Sequence, residues 1–249
     1  MFQGFYNLSS GMLTQNRNLN VISNNIANMM TPGYKRDIMV SSTFQEELFS
    51  RTGNLDRSNS TELNDIAMMR IATENITDFA QGGLEDTGSP LDFALLEDGF
   101  FQIQTQNGVL YTRNGGFIID DEGYLALPET GRVLGTNGPI YLGTDEVTMD
   151  ASGALYNQNN QLLGQFQIVT FDDPATQLVK AGNGTFTSTV AGTPTQVSIE
   201  QGMLEYSNVD ASQEMVSMME AQRALQSAAQ VIKMYDQLMS KATTEIARV

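Results

Sequence analysis

The chain closes with the stretch DASQEMVSMMEAQRALQSAAQVIKMYDQLMSKATTEIARV, residues 210–249, in which apolar side chains recur at alternating steps of three and four. The stretch contains neither proline nor glycine, so it predicts one uninterrupted helix from about Asp210 to Ala247. A repeat of about 3.5 residues is typical of helices that supercoil around a partner. The positions of this C-terminal seam are Met218, Ala221, Leu225, Ala228, Ile232, Tyr235, Met239, Ala242, Ile246 and Val249.

The same spacing occurs at the other end of the chain and defines an N-terminal seam. It predicts a helix from about residue 3 to residue 29, which stops at Thr31-Pro32-Gly33. Proline disfavours helix at the residue before it, and glycine permits the turn that follows. We therefore expect these three residues to form a joint, and the two terminal helices to pack on each other and on copies of themselves. The N-terminal seam comprises Met1, Phe5, Leu8, Met12, Gln15, Leu19, Ile22, Ile26 and Met29, of which only Gln15 is polar.

Short polar side chains crowd the last turns of the first helix. Ser23, Asn24, Asn25 and Asn28 all lie there, although such residues are unfavourable inside a helix. Two interpretations fit the cluster: a solvated face, or a set of hydrogen bonds between chains.

The middle of the chain has a β pattern. Polar and apolar residues alternate over 101–105, and turn dipeptides such as Asn107-Gly108 recur at roughly ten-residue spacing, which indicates an antiparallel sandwich or open barrel. Residues 37–81 read as a polar, extended connector with one or two strands and a possible short helix at 43–49. The sequence thus predicts an α+β protein, in which long N- and C-terminal helices pair as a coiled-coil-like layer beside a central antiparallel β-rich domain. The predicted segments are the N-terminal helix 1–36, the connector 37–81, the β-rich domain 82–204 and the C-terminal helix 205–249.

Charge is concentrated in the β-rich region. The chain carries a net charge of −16, and the span from Gly82 to Asp210 holds 17 acidic residues against three basic ones. A chain so acidic is unsuited to nucleic acid, because phosphate binding requires clusters of Lys and Arg. The acidic span is interpreted either as a solvated surface that maintains solubility or as a docking surface for a basic partner.

Several kinds of chemistry are excluded by composition. The chain has no cysteine and no histidine, so disulfides, zinc–thiolate sites and a Ser-His-Asp triad are impossible. Asp120-Asp121-Glu122-Gly123 superficially resembles a calcium loop, but the required later ligands are missing and a hairpin turn is the better interpretation. The adjacent pair Glu97 and Asp98 does not by itself place two carboxylates across a bond. We therefore predict no cofactor, metal or small-molecule substrate, and no enzymatic activity.

The sequence also bears on export. No run approaches about 18 consecutive apolar residues, so no membrane insertion is expected. The N-terminus lacks the basic start, apolar core and cleavage site of an ordinary secretion signal. If the protein leaves the cytoplasm, another machine must export it with its N-terminus uncleaved.

Three blocks of sequence together carry a family resemblance. The first is SNNIAN at 23–28 followed by TPGYK at 31–35. The second is LDFA at 91–94, GFF at 99–101, YTRNGGF at 111–117 and the turn at 120–125. The third is QGMLE at 201–205 with SNV at 207–209 and the following EMV and EAQRA. In this order and spacing the blocks resemble the signatures of bacterial flagellar rod and hook proteins, over roughly 130 residues.

The resemblance implies a structural subunit of the basal-body rod, which is the drive shaft between motor and hook. Such subunits are exported through the flagellar type III apparatus and polymerise helically outside the cytoplasmic membrane, together with other rod and hook subunits. Their terminal helices form an inner tube and the β domain lies outside it. Residues 89–95 favour the proximal rod protein and residues 213–223 the distal one, so both identities stay open. The rival hypothesis from another class is a peptidoglycan-active enzyme that helps the rod to cross the cell wall.

Overall fold

A computed structural model describes residues 2–51, 61–150, 152–182 and 184–246. The chain forms three helices and 19 strands within these residues. The helices are α1 Phe2–Ala27, α2 Pro174–Gln177 and α3 Ala211–Ile246. The strands are β1 Asp37–Arg51, β2 Thr61–Thr77, β3 Leu84–Asp86, β4 Phe93–Leu95, β5 Phe100–Thr105, β6 Gly108–Thr112, β7 Ile118–Ile119, β8 Leu125–Leu127, β9 Gly131–Gly135, β10 Gly138–Pro139, β11 Val147–Met149, β12 Ala154–Asn157, β13 Leu162–Gln165, β14 Ile168–Thr170, β15 Leu178–Gly182, β16 Thr185–Ser188, β17 Thr193–Pro194, β18 Ile199–Gln201 and β19 Met203–Glu205.

The chain divides into two compact units. The first, the helical unit, contains residues 1–26, 37–76 and 211–249, and the second, the β-rich unit, contains residues 27–36 and 77–210. Within the helical unit, α1 and α3 are accompanied by β1 and β2, which pair as a two-stranded sheet. The prediction of an α+β protein with helices at both ends and a β-rich middle is confirmed.

The β-rich unit is built around one large antiparallel sheet. Seven strands follow in the order β15-β16-β6-β5-β9-β8-β7, and β10, β14 and β17 extend the sheet from β9 and β5. The remaining strands form the three-stranded sheet β11-β12-β13 and the pairs β18-β4 and β19-β3. The sequence predicted the centre of this arrangement correctly: β5 and β6 form a hairpin in which Thr105 faces Gly108.

The core of the β-rich unit forms because apolar and polar residues alternate along its strands. In β5, Phe101 and Ile103 are fully buried whereas Gln104 is exposed, so one face of the strand points into the core. Burying each such large apolar side chain contributes about 1.5–3 kcal/mol. The main cluster consists of Phe93, Leu95, Phe101, Ile103, Phe117, Leu125, Leu127, Val133, Ile140, Leu142, Val147, Leu155, Phe166, Ile168, Val197 and Ile199. A second cluster consists of Phe100, Tyr111, Val169, Leu178 and Phe186.

Two local expectations differ from the structure. Residues 43–49, where a short helix was possible, lie within β1, which is extended throughout. The first helix ends at Ala27 rather than at 29, because Asn28 and Thr31 already form a turn through the hydrogen bond from Thr31 N to Asn28 O.

Candidate assembly site

A buried cluster of charges joins the segment after α1 to the β-rich unit. Lys35 Nζ lies 2.6 Å from Glu205 Oε1, and Arg113 Nη1 lies 3.2 Å from Glu205 Oε2. Lys35 and Glu205 are each only 1% exposed, and Arg113 is buried beside them. Glu205 Oε1 also accepts a hydrogen bond from Gly82 N, and Lys35 Nζ donates another to Ala80 O. We call Lys35, Arg113 and Glu205 the ion cluster.

The turn that precedes Lys35 is fixed by close backbone contact. Gly33 has a φ of +67°, and its N–H donates to Glu205 O at 2.7 Å. A Cβ at this position would lie 2.3 Å from Asn114 N, which is closer than two such atoms can approach. Glycine is therefore required at position 33 for two reasons, the left-handed conformation and the absence of space for a side chain.

Asn208 also bonds to the segment that follows α1. Its side-chain oxygen accepts from Arg36 N at 2.8 Å, and its side-chain nitrogen donates to Asp78 O and Ala80 O. Lys180 adds a further bond to this segment, because its Nζ donates to Lys35 O at 2.6 Å. The ammonium of Lys180 also lies 4.2 Å from the centre of the Tyr34 ring, which places a cation over an aromatic face.

The electrostatics of the ion cluster make it sensitive to the loss of any member. Burial lowers the pKa of Lys35 from its ordinary value, and the adjacent Glu205 carboxylate opposes that shift. A buried ion pair adds little net stability compared with apolar residues, but removing one partner leaves an uncompensated charge. The cluster is thus well suited to fix one geometry of the segment 31–36 on the β-rich unit.

Two contacts show how α1 and α3 lie within the helical unit. Asn25 Nδ2 donates to Glu214 Oε1 at 3.4 Å, and a Cβ built on Gly4 would lie 3.7 Å from the Tyr235 hydroxyl. The two contact points are separated by the same number of residues on both helices, so the helices run antiparallel.

Asn25 is the most deeply buried residue of the polar cluster formed by Ser23, Asn24, Asn25 and Asn28. It is 1% exposed, its side-chain oxygen accepts from Asp37 N, and its side-chain nitrogen donates to Asp37 O as well as to Glu214. These bonds lie within one chain, so neither interpretation of the cluster, solvation or bonds between chains, holds for Asn25. Ser23 and Asn24 are exposed.

The seam residues vary widely in exposure. Ile22 and Ala221 are buried. Half-buried are Leu8, Met12, Gln15, Leu19, Ile26, Met29, Met218, Leu225, Ala228, Ile232 and Tyr235, and exposed are Phe5, Met239 and Ala242. Met1, Val249 and the side chain of Ile246 lie outside the described part of the chain. Of the three residues predicted to form the joint, Thr31 and Pro32 are half-buried and Gly33 is buried.

The acidic residues that the sequence suggested as possible calcium ligands or catalytic carboxylates lie in a hairpin turn or are exposed. Asp120 accepts from Glu122 N and Tyr124 N and pairs with Arg132 Nε at 2.7 Å, as expected of a hairpin turn. Glu97 and Asp98 are exposed, and Asp98 lies 3.4 Å from Arg113 Nη2. Among the described residues, no group of acidic side chains is arranged to hold a metal ion. No helix in the described ranges is long and apolar enough to span a membrane.

The sequence did not single out Lys35, Arg113, Glu205 and Asn208 as a group. Each nevertheless belongs to one of the three blocks quoted above, and the structure brings the blocks together at the ion cluster. The available signal was the rarity of bases in an acidic region: Arg113 and Lys180 are two of only three between Gly82 and Asp210, and both bond to this site.

Comparison with known proteins defines the class as flagellar structural proteins. Residues 5–35 match the family described as flagella basal body rod protein, residues 94–210 the flagellar hook protein FlgE/F/G D1 domain, and residues 200–245 the flagellar basal body rod FlgEFG protein C-terminal region. The chain belongs to the flagellar basal-body rod and hook protein family, which confirms the resemblance.

Whole-length relatives support this placement. The flagellar basal-body rod protein FlgG of Agrobacterium fabrum is 31% identical, over 93% of this chain and 95% of its own length. FlgF of Mesorhizobium japonicum is 31% identical, over 94% of this chain and 93% of its own. The flagellar hook-basal body complex protein FlhO of Bacillus subtilis is 29% identical over the full length of both chains.

Proposed function

We propose that this chain is a structural subunit of the bacterial flagellar basal-body rod, which polymerises helically and forms part of the drive shaft between motor and hook. The observation that carries the proposal is the antiparallel placement of α1 and α3, shown by the contacts of Asn25 with Glu214 and of Gly4 with Tyr235. Two long helices that pack together while keeping apolar positions exposed suit a subunit whose neighbours complete the packing.

The proposed assembly interface is the set of seam residues. The half-buried positions give the helix pair its coiled-coil-like contact inside one chain, and the exposed ones contact other subunits. The residues are Phe5, Leu8, Met12, Leu19, Ile22, Ile26, Met218, Ala221, Leu225, Ala228, Ile232, Tyr235, Met239, Ala242 and Ile246. Thr31, Pro32 and Gly33 act as the joint, because the bonds of Gly33 and Lys35 to Glu205 hold the residues after α1 in one conformation within the β-rich unit.

The proposed segments remain those of the sequence: the helices 1–36 and 205–249 for the inner tube, 37–81 as connector and 82–204 as the outer β-rich domain. The proposed partners are copies of this chain, other rod and hook subunits, and the type III export apparatus. The proposed site is the basal body outside the cytoplasmic membrane, in line with relatives named basal-body rod proteins. We infer that the chain has no enzymatic role, no nucleic-acid partner and no small-molecule substrate.

The test is electron microscopy of basal bodies that carry a labelled copy of this chain. We expect the label on the rod, and motility lost in a strain that produces only Leu225→Asp, because a charge would then lie in the apolar seam. A label confined to the hook, the cytoplasm or the envelope would refute the rod assignment. Purified protein that degrades peptidoglycan would instead favour the enzyme hypothesis.

A further inference from the structure

A cleft in the β-rich unit lies beside the ion cluster and has no role in holding the segment 31–36. It encloses about 370 Å³, which is within the range of about 300–1,000 Å³ typical of pockets for small ligands. Aromatic rings, one guanidinium group and two carboxylates line it, and they belong to Phe79, Phe100, Phe171, Arg113, Asp98 and Asp172.

The apolar part of the cleft consists of three phenyl rings. The ring of Phe100 lies 5.9 Å from the ring of Phe79 and 5.9 Å from that of Phe171, and both contacts are edge-on. Phe100 is buried, whereas Phe79 and Phe171 are half-buried. A ligand with an apolar body would therefore remove apolar surface of the protein, as well as its own, from contact with water.

The polar part of the cleft is the guanidinium group of Arg113, whose side chain is only 3% exposed. Its Nη1 lies 3.2 Å from Glu205 Oε2, and its Nη2 lies 3.4 Å from Asp98 Oδ1. Its Nε is buried and has no hydrogen-bond partner within the part of the chain that the structure describes. A buried donor without a partner is unfavourable, so an acceptor in the cleft would complete the bonding of this side chain.

The charge balance of the ion cluster favours an anion as that acceptor. With Lys35 and Arg113 protonated, the buried groups are two cations and the single carboxylate of Glu205. The remaining partner of Arg113 is Asp98, whose side chain is 97% exposed and therefore contributes little. The cleft is thus adjacent to an excess of buried positive charge.

A cationic ligand is disfavoured, although aromatic rings and carboxylates can bind cations. The guanidinium carbon of Arg113 lies 5.4 Å from the centre of the Phe100 ring, so this ring already has a cation beside it. A second cation would be repelled by Arg113 at short range. A multiply charged anion such as phosphate fits less well than a single carboxylate, because it has no apolar body to cover the rings and would lie near both Asp98 and Asp172.

We propose that this cleft binds a monocarboxylate that carries an apolar body, either as a free acid or as the carboxyl end of a peptide with an aromatic last residue. We call the site the Arg113 cleft. The carboxylate accepts from Nε and Nη2 of Arg113 in a bidentate arrangement, and Asp98 is displaced into solvent. The apolar body lies among the three phenyl rings. The site is independent of the rod function proposed above, and its ligand is bound but not converted.

Titration of the full chain with 3-phenylpropionate, followed by NMR, tests the ligand chemistry. A ligand of this size should bind with a Kd on the order of 1–10 mM. The neutral analogue 3-phenylpropanamide should bind roughly tenfold more weakly, because it cannot form the charge-assisted bonds. Acetate should also bind roughly tenfold more weakly or less, because it has no ring to place among the phenyl groups.

Asp98→Ala tests the location of the site, and Glu97→Ala is its matched control. Each removes one exposed carboxylate from neighbouring positions, but only Asp98 lines the cleft and contacts Arg113. We expect Asp98→Ala to tighten 3-phenylpropionate binding roughly threefold, because the ligand then has no competitor for Nη2. Glu97→Ala should bind like the parent, and both variants should melt like the parent because the lost side chains are exposed.

A tetrapeptide that ends in phenylalanine distinguishes the two sources of the carboxylate. If the peptide with a free carboxyl end binds at least as tightly as 3-phenylpropionate and its amidated form does not, the ligand is a chain end. If only 3-phenylpropionate binds, the ligand is a free acid, and the proposed chemistry holds in either case.

Three results would overturn the inference while leaving the rod function intact. The first is that neither carboxylate binds in the millimolar range. The second is that the amides bind as tightly as the carboxylates, so that Arg113 has no part in recognition. The third is that Asp98→Ala and Glu97→Ala change the Kd equally, because the net charge of the unit and not the Arg113 cleft would then be responsible.

Discussion

Glu205→Gln is the sharpest test of the ion cluster. The substitution keeps the shape of the side chain but removes the charge that compensates Lys35 at 2.6 Å and Arg113 at 3.2 Å. All three side chains are almost completely buried, so water cannot replace the lost partner. Lys35 would then lose its carboxylate partner, and Arg113 would keep the exposed Asp98 at 3.4 Å.

The expected loss is large because burial prevents relaxation into solvent. Removing one partner of a buried pair typically costs about 3–5 kcal/mol of unfolding free energy. A whole domain has only about 5–15 kcal/mol of stability, so this one change removes a substantial share. At about 2–4 °C per kcal/mol, the melting temperature of the β-rich unit should fall by roughly 10 °C.

Urea and thermal unfolding followed by circular dichroism measure this loss. Tryptophan fluorescence is not an option, because the chain contains no tryptophan. The matched control is Glu122→Gln, which removes an equal charge from a solvent-exposed partner of Arg132. Exposed ion pairs contribute little, so the control should unfold like the parent. Adding Lys35→Met to Glu205→Gln should recover part of the loss, because the two residues form one unit.

A loss below about 1 kcal/mol for Glu205→Gln would refute the reasoning. It would mean that Lys35 and Arg113 find other partners, and that the geometry of the segment 31–36 does not depend on the carboxylate. If Glu122→Gln lowers the unfolding free energy as much as Glu205→Gln does, the change in net charge of the β-rich unit, and not the loss of the buried partner, is responsible.

Three further predictions concern single positions. Gly33→Ala should lower the unfolding free energy by about 2 kcal/mol or more, since alanine at this position would combine a left-handed backbone with a clash against the backbone of Asn114. The control is Gly83→Ala, which has open space around it and should leave the unfolding free energy unchanged. Equal urea midpoints for the two variants would contradict the prediction. Asn25→Ala should cost about 2 kcal/mol in thermal unfolding of the helical signal, because it removes the hydrogen bonds that the buried Asn25 side chain makes to the backbone of Asp37. An unchanged melting curve would refute the anchoring role of Asn25. The pKa of Asp150 is held below its ordinary 3.8, first by the hydrogen bond from the Ser152 hydroxyl. The stability that this bond provides is present above pH 3.8 and is lost as the pH falls through the lower folded-state pKa. Ser152→Ala should raise the carboxyl pKa measured by NMR titration, and an unshifted pKa would disprove the assignment.

The sequence by itself determined the elements whose signal is local. The 3.5-residue repeat and the lack of proline and glycine after Asp210 specify α3, because the periodicity of a helix depends on residues that are close in sequence. Alternation in β5 and the dipeptide Asn107-Gly108 likewise specify the β5–β6 hairpin. The possible helix at 43–49 was wrong because short polar segments have no strong period, and pairing with a distant strand decides their conformation.

Only the tertiary structure decided which distant residues meet. Lys35, Arg113 and Glu205 are separated by 78 and 92 positions, and nothing in their spacing indicates that one carboxylate serves two cations. The register of α1 on α3 was also undetermined, because a 3.5-residue repeat is compatible with many alignments of two helices. The contacts of Asn25 with Glu214 and of Gly4 with Tyr235 limit these alignments to an antiparallel one. Periodicity acts between neighbours in sequence, whereas ion pairing and helix register act between residues that only the folded chain brings within a few ångströms.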